Sequence, residues 1–483
     1  MPDRDNTYST NQIRKISQCH SSFGKRTRLA SPKLDRWKDL NKAIIDWINN
    51  DALEETSIKV AEENNFQFYD TIQKKILSDL FSRFRTIYPK RNSIFNHEYL
   101  VKEAVREING EEYGLTTHFS YEFEDNNHFE YIKLKTAHDP EPDLIDKAII
   151  TKLKTDNEGF YTAAIELDDL VEIESVENPD EIIDEYFNIL EEYLEGRKKR
   201  TPGKQCDYCD QASRCGQFPL INADKITNRI REVKISKTNL VKLSNCERRT
   251  AWNVQYGLPR EDYIEYESES TATKFHQFSQ KLLVNNDNYS DKENIESFNK
   301  LTNEEDEVTR EQLFLKYQQL VSQLNNYDDL KIKEAEYILG FTCIADGKGI
   351  RDGKVVDQKV ATIFTGKSDL AGRLGDIPII IELKTRPEIP EDSIEAQLYA
   401  LGASKLMRSE KEIIVLHIYV SDNNASIKER RFGVSELESA QAKFEDISKK
   451  PASWIPFDAL SPKHSVGEWC EFCEFKNTCV EFR

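Results

Sequence analysis

At 483 residues the chain is too long for a single core and points to roughly two to four domains. It is 38% hydrophobic and 32% charged, with a formal net charge of −19. That balance excludes a protein that coats nucleic acid through its overall field, since phosphates would be repelled at long range. It does not exclude a nuclease: a divalent-metal site needs carboxylates, and local basic patches can hold DNA.

The polar start, MPDRDNTYST, lacks the apolar stretch of a signal peptide, and no run approaches the length of a membrane-spanning helix. An intracellular, cytoplasmic location without membrane contact is the expectation. In a reducing compartment, nine cysteines suggest metal or cluster ligands rather than disulfides.

In chain order, the first predicted element is a short helix over STNQIRKISQC, Ser9 to Cys19, opened by a hydroxyl cap and closed by a cysteine. Residues 11–38 place Arg14, Lys15, Lys25, Arg26, Arg28, Lys33, Arg36 and Lys38 against one acid, Asp35. The acidic stretch around 40–112 reads as a helical insertion. HFEYIKLKT (128–136) reads as a strand. His118, Glu122, Glu124 and Asp125 just before it form either a small polar site or a solvated strand and turn. A second basic run, Arg197-Lys198-Lys199-Arg200, precedes Cys206-x2-Cys209-x5-Cys215. Together with Arg14 and Lys15 it forms a candidate phosphate-binding patch, or a charge run serving solubility.

The pattern then returns. SKTNLVKLSNC, Ser236 to Cys246, matches the first helix at Ser9/Ser236, Ile13/Leu240, Lys15/Lys242, Ile16/Leu243, Ser17/Ser244 and Cys19/Cys246. Cys470-x2-Cys473-x5-Cys479 repeats the first triplet. Eight cysteines are thus used as four plus four, and Cys343 is expected to be buried in a strand. Two homologous domains, 1–222 and 223–483, follow. Each quartet can hold a zinc ion or a [4Fe–4S] cluster, or consist of unligated core thiols.

Downstream of Cys246, KFHQFSQKLL (274–283) has the period of a helix and carries His276. The Glu/Asp-rich stretch 284–308 reads as a solvated loop or surface helix. Residues 360–384 form a predicted hairpin of two apolar runs flanking Gly375 and Asp376. Asp369 closes the first strand region, and Glu382 and Lys384, two apart on the second strand, share a face. A helix over SIEAQLYALGASKLM, a strand over EIIVLHIYVS and a helix over VSELESAQAKFEDIS lead to the final cysteines.

The series Gly366-x2-Asp369, then Glu382-x-Lys384-Thr385, preceded by His276 and flanked by cysteines from both ends, resembles the RecB-like PD-(D/E)XK nuclease superfamily. The resemblance covers most of 236–483. It implies two tandem α/β domains of restriction-endonuclease type, each a mixed central sheet flanked by helices and stapled by four cysteines. It also implies a Mg2+- or Mn2+-dependent deoxyribonuclease acting on single-stranded or end-exposed DNA, as in AddB-type recombination nucleases and iron–sulfur CRISPR-adaptation exonucleases.

The chemistry is consistent with those residue types. Phosphodiester hydrolysis needs a hydroxide at neutral pH and charge relief at the phosphoryl group, which one or two divalent ions provide. Asp369 and Glu382 are hard oxygen ligands, and His276 would add a nitrogen and favour Mn2+. Lys384 would orient water or stabilise transition-state charge.

The family's Gln-x3-Tyr motif, which contacts DNA, is altered here. Glu395 stands four residues before Tyr399, whereas Gln397 stands only two before it. Either Glu395 replaces the glutamine or the helix start is shifted.

In the first half, Lys133 stands where Glu382 stands, Lys135 matches Lys384, and Ser120 takes the place of Asp369. That half is expected to keep the fold and cluster but not the metal chemistry. No helicase P-loop is present, so unwinding would fall to a partner in a repair or defence complex. The rival expectation is a catalytically silent DNA-binding scaffold.

Overall fold

Ser9 caps its helix reciprocally: its hydroxyl accepts the N–H of Gln12 at 3.3 Å, and the Gln12 side chain accepts the Ser9 N–H at 2.7 Å. In the computed structural model, the described residues are 6–20, 32–50, 70–88, 94–96, 101–135, 141–165, 168–196, 200–203, 205, 206, 209, 212–223, 230–258, 271–284, 292–351, 354–390, 392–407, 409, 412–421 and 424–481.

In the first half, β1 (Thr7–Ser9) leads into α1 (Thr10–Gln18), followed by α2 (Pro32–Asn50) and α3 (Thr71–Ile87). Strands β2 (Ile94–Asn96), β3 (Val101–Ile108), β4 (Glu111–His118), β5 (Tyr121–Asp125) and β6 (His128–Lys135) come next. Then follow α4 (Leu144–Leu153), β7 (Glu158–Ala164), β8 (Asp169–Glu172) and α5 (Pro179–Leu194).

Two expectations are corrected here. The stretch 40–112 is helical only in part, because β3 pairs with β4 along its whole length. The turn between them, Asn109-Gly110, has φ of 52° and 82°, the twisted hairpin geometry that Asn-Gly favours. The acidic composition of the segment masked that signal. Among the described residues, the half also carries two mixed sheets rather than one, a three-stranded β1-β4-β3 and a five-stranded β2-β5-β6-β7-β8. They part at Phe119 and Ser120, between β4 and β5.

The second half opens with β9 (Arg231–Ser236), α6 (Lys237–Asn245), α7 (Glu247–Val254), α8 (Thr271–Leu283), α9 (Lys292–Leu301) and α10 (Glu307–Leu324). Long strands β10 (Leu330–Arg351) and β11 (Lys354–Leu374) follow, then β12 (Ile377–Lys384), α11 (Asp392–Leu406), β13 (Ile413–Val420), β14 (Ala425–Phe432), α12 (Val434–Ser453) and α13 (Lys476–Glu481). One mixed six-stranded sheet results, ordered β10-β11-β12-β13-β14, with β9 parallel to β11. Gly375, at φ 57°, makes the β11–β12 turn.

Both faces of this sheet are covered, so β13 is buried at every position, as expected of a strand enclosed on two sides. Phe275, Leu320, Ile381 and Leu416 pack on one side. Trp252, Phe341, Phe364 and Phe444 pack on the other. Cys343 lies in β10 with no exposure, as expected, and burial pushes its thiol pKa far up. Residues 284–308 are not wholly solvated: Phe298, on α9, is buried against Phe314 and Tyr317.

Chain before residue 223 is fastened to chain beyond 230. Arg36 donates to the carbonyls of Tyr256 (3.2 Å) and Gly257 (2.6 Å), and Asp70 accepts the N–H of Ala459. Leu220 bridges to Thr342 of β10.

The halves share register. Ser9 lies opposite Thr116 and Ser236 opposite Thr365, both in parallel pairs. Tyr121 faces Ile132 as Leu370 faces Ile381, both antiparallel. Counting along these ladders sets Ser120 at the place of Asp369 and Lys133 at the place of Glu382.

Candidate metal centre and cysteine clusters

Strand alternation brings Asp369, on β11, and Glu382, on β12, toward the same end of the sheet. Leu370 pairs with Ile381, one residue inside each carboxylate. Asp369 Oδ2 accepts the backbone N–H of Leu383 at 2.7 Å, which fixes the carboxylate and leaves Oδ1 for its other partners. His276 Nδ1, from α8, lies 2.9 Å from Asp369 Oδ1, and Gln280, one helical turn on, donates to the same oxygen at 2.9 Å. Asp369 and Glu382 are both buried.

A second group converges on Glu382. Lys384 Nζ donates to Glu382 Oε1 at 3.0 Å and to Glu395 Oε2 at 2.7 Å. The Tyr399 hydroxyl donates to Glu382 Oε2 at 2.8 Å and lies 3.3 Å from Glu395 Oε1. Glu395 and Tyr399 are thus the pair, four apart on α11, that faces the site. Gln397 does not join them, and its buried Oε1 has no hydrogen-bond partner. Tyr399 is fully buried, so its hydroxyl rather than its ring reaches the site. Gly366 lets that ring in, since a Cβ there would fall 2.7 Å from it.

Besides Gln280, the sequence reading missed Lys237 and His417. Lys237, the first residue of α6, donates to Glu382 Oε1 at 2.5 Å, the Tyr399 hydroxyl at 2.9 Å and the Lys367 carbonyl at 3.1 Å, and lies 3.3 Å from Glu395 Oε1. His417, on β13 opposite Glu382, has no exposure. Its Nδ1 lies 3.0 Å from Arg430 Nη1. Arginine can only donate, so Nδ1 accepts and Nε2 carries the proton. Nε2 lies 3.5 Å from Glu395 Oε2, at the edge of hydrogen-bonding range.

These contacts decide the charge states. Burial raises the pKa of Asp369, but His276, Lys237 and the Leu383 N–H outweigh it and hold the group below its ordinary value. Burial also raises Glu395, yet His417, Lys237 and Lys384 bring it far down. Glu382 is pushed up by burial and by Asp369 and Glu395, against the pull of Lys237 and Lys384. Burial would lower Lys237, but Glu382, Glu395 and Asp369 raise it strongly, so it is an ammonium.

Among the described residues, Asp392, Glu395 and His417 are a buried group whose ligand atoms lie within 4.8 Å of one another. Its donor types suit a metal ion. Asp392, however, is already engaged by Arg386 at 2.5 and 3.0 Å, by Tyr419 at 2.9 Å and by the Ile389 N–H at 3.1 Å. The set read from the sequence, His276, Asp369 and Glu382, lies next to this group, with Glu395 linking the two through Lys237 and Lys384.

The register-equivalent place in the first half is built differently. Ser120 Oγ accepts the Leu134 N–H at 3.2 Å, as Asp369 accepts that of Leu383. Lys133 donates to Asp146 on α4 at 2.9 Å, and Thr10 and Thr117 also donate to that carboxylate. An ammonium paired with a carboxylate thus stands where the second half has Glu382. His118 Nε2 lies 3.1 Å from Thr116 Oγ1. Glu122 and Glu124 alternate with buried Tyr121 and Phe123.

Cys19, Cys206, Cys209 and Cys215 line one cavity, with Arg200 and Phe218 among its walls. Residues far apart in sequence therefore meet, as a four-thiolate ligand set requires. Backbone N–H groups of Thr201 and Gln217 point at Cys19 and Cys215 Sγ, each at 3.5 Å, the contacts that stabilise thiolates. Burial, and beyond it the neighbouring thiols, raise Cys206 and Cys215, so a positive centre is what would allow them to ionise together.

In the second quartet, Cys246 ends α6 and lies close enough to Cys473 to perturb it, while Cys473 and Cys479 pack on the same apolar cluster. Lys242 (2.6 Å) and Arg249 (2.7 Å) fasten Glu474 between Cys473 and Phe475.

Of the basic residues, Arg14 is bonded to Asp143 at 2.9 Å, which offsets its charge. The Lys15 carbonyl accepts the Cys19 N–H at 3.0 Å. Lys198 and Lys199 lie outside the described residues. Among the described residues, no helix is long and apolar enough to cross a membrane.

No protein-family model matches the chain, and no curated protein sequence matches it. Solved structures give distant similarities. The crystal structure of SSO0001 aligns at 14% identity, covering 53% of this chain and 89% of that one, with a TM-score of 0.23. A protein from Eubacterium rectale named "Putative exonuclease" aligns at 10% identity, covering 51% and 83%, with a TM-score of 0.26.

Proposed function

We propose that the chain is a metal-dependent deoxyribonuclease of the RecB-like PD-(D/E)XK type, acting on single-stranded or end-exposed DNA in repair, recombination or defence. Residues 223–483 form its catalytic domain, and 1–222 a degenerate copy that keeps the fold and cysteines without the metal chemistry. The observation that carries this reading is the meeting of His276 with Asp369 at 2.9 Å beside Glu382, which holds Lys384 at 3.0 Å.

His276, Asp369 and Glu382 are the residues that would hold Mg2+ or Mn2+, with Glu395 close behind. The ion supplies Lewis-acid activation of water and relief of phosphoryl charge. The protein supplies orientation. The Leu383 N–H aims Asp369, the Tyr399 hydroxyl braces Glu382, and the Lys384 ammonium stands ready for charge developing on the phosphate. Each cysteine quartet is assigned to a [4Fe–4S] cluster, with zinc as the alternative.

One observation favours the rival reading of a silent DNA-binding scaffold: the Lys237 ammonium already satisfies Glu382 at 2.5 Å. The test is cleavage of end-labelled single-stranded DNA in Mn2+ or Mg2+ by anaerobically purified protein. The wild type cuts and a folded Lys384→Ala variant does not. A wild type that leaves single- and double-stranded DNA intact in both metals hands the argument to the scaffold.

A further inference from the structure

Resting on the metal-site reading above, we propose that Lys237 is a tethered second cation, which limits this site to one divalent ion.

The surroundings of Lys237 Nζ support it. Glu382 Oε1 at 2.5 Å, the Tyr399 hydroxyl at 2.9 Å, the Lys367 carbonyl at 3.1 Å and Glu395 Oε1 at 3.3 Å surround the ammonium. Two carboxylates and a carbonyl are among the oxygen ligands a hard divalent cation takes. The ammonium therefore stands where a second ion between Glu382 and Glu395 would stand. His276 and Asp369 Oδ1, 2.9 Å apart, are the donors that would hold the first ion.

The backbone delivers Lys237 to this position. Strand β9 ends in parallel register with β11, Ser236 opposite Thr365, and the Ser236 hydroxyl caps α6 by accepting the Asn239 N–H at 3.3 Å. Lys237 is the next residue, so the same cap and pairing that start the helix place its side chain over the carboxylates.

The first half shows the converse arrangement. There the cation, Lys133, comes from the strand position of Glu382, and Thr10, the register counterpart of Lys237, is neutral. Each site carries an ammonium against the carboxylate of the following helix, Asp146 in one and Glu395 in the other.

The experiment is Mn2+ titration of the full-length protein, with free Mn2+ read by electron paramagnetic resonance. Asp369→Asn defines the background of surface sites. Above it, the wild type is expected to bind one ion, Lys237→Gln two, and the charge-preserving Lys237→Arg one. A wild type binding two ions, or a folded Lys237→Gln binding one, overturns the proposal and leaves the metal site standing. Binding no different from Asp369→Asn in all three removes the metal site itself, and this inference with it. Should Lys237→Gln not fold, the wild-type count alone decides.

Discussion

Asp369 and Leu383 are joined by a 2.7 Å hydrogen bond from backbone N–H to carboxylate, and Ser120 and Leu134 repeat the bond at 3.2 Å. The same crossing of two strands is therefore built twice, once with an acid and once with an alcohol. Only the first brings a negative charge to the crossing. Asp369→Asn and Glu382→Gln should each lower metal-dependent cleavage by about a hundredfold or more, as loss of an electrostatic catalytic group does. Ser120→Ala should leave it within about twofold, since the serine supplies only a net hydrogen bond of about 1 kcal/mol. Single-turnover cleavage of labelled DNA checks both. Equal losses at Ser120 and Asp369 would sink the division of labour between the halves.

Glu395 gives a sharper case, because Glu395→Gln recreates the Gln-x3-Tyr spacing with Tyr399. The glutamine can still face Lys384, but it removes one of the two carboxylates acting on Glu382. Lys237 and Lys384 then both lean on Glu382, which competes with a metal ion. The expected result is a Mn2+ dissociation constant raised about tenfold, equivalent to about 1.4 kcal/mol, with a lowered melting temperature, since Glu395 is the buried partner of two ammoniums. Tighter metal binding in the variant would show that Glu395 is a spectator.

How much of this was legible beforehand depends on whether a signal was local. The β11–β12 hairpin announced itself through Gly375-Asp376 and its apolar runs, and the strand period put Glu382 and Lys384 on one face. The i, i+4 spacing on α11 put Glu395 and Tyr399 on one face, and the side chains of both reach the Glu382 group. Lys237 was hidden because nothing local separates a lysine after a serine cap from a solvated one. Its meaning comes from a parallel pairing between β9 and β11, whose paired residues lie over a hundred positions apart. His417 was hidden in a wholly apolar strand, where a histidine reads as filler. The β3 strand was missed through composition, although Asn109-Gly110 marked its hairpin.

The cysteine quartets make separable predictions. Cys206→Ser should halve the iron content of anaerobically purified protein, and so should Cys473→Ser, each leaving the other quartet loaded. Because each quartet closes a loop of nearly two hundred residues or more, its loss frees the unfolded chain considerably. A fall in melting temperature of roughly 5–10 °C is expected for each, in proportion to a loss of a few kcal/mol. Elemental analysis with thermal unfolding checks this. Zinc in place of iron, with a colourless protein, would reassign the metal but keep the fold argument. Unchanged metal content in both variants would refute the quartets as ligands.

Lys133 and Asp146 supply a test of the first half that needs no nucleic acid. Their 2.9 Å ion pair is nearly buried, and Thr10 and Thr117 donate to the same carboxylate oxygen. Burial alone would raise the pKa of Asp146, but Lys133 and the hydroxyls hold it below its ordinary value. In the wild type its contribution is therefore complete above about pH 3.9, the ordinary aspartate pKa, and fades as pH falls through the lower folded value. Lys133→Met reverses the sign. It strands a buried carboxylate, costing about 3–5 kcal/mol at neutral pH, and lets burial raise that carboxylate above its unfolded value. The variant should then regain stability as pH falls through the raised value, because protonation removes the stranded charge. The gap in melting temperature between wild type and Lys133→Met should narrow from pH 7 to pH 5, and Lys133→Met/Asp146→Leu should close most of it at pH 7. A gap that stays constant across that range, or a double variant no better than the single, would mean that the pair does not hold the first half together.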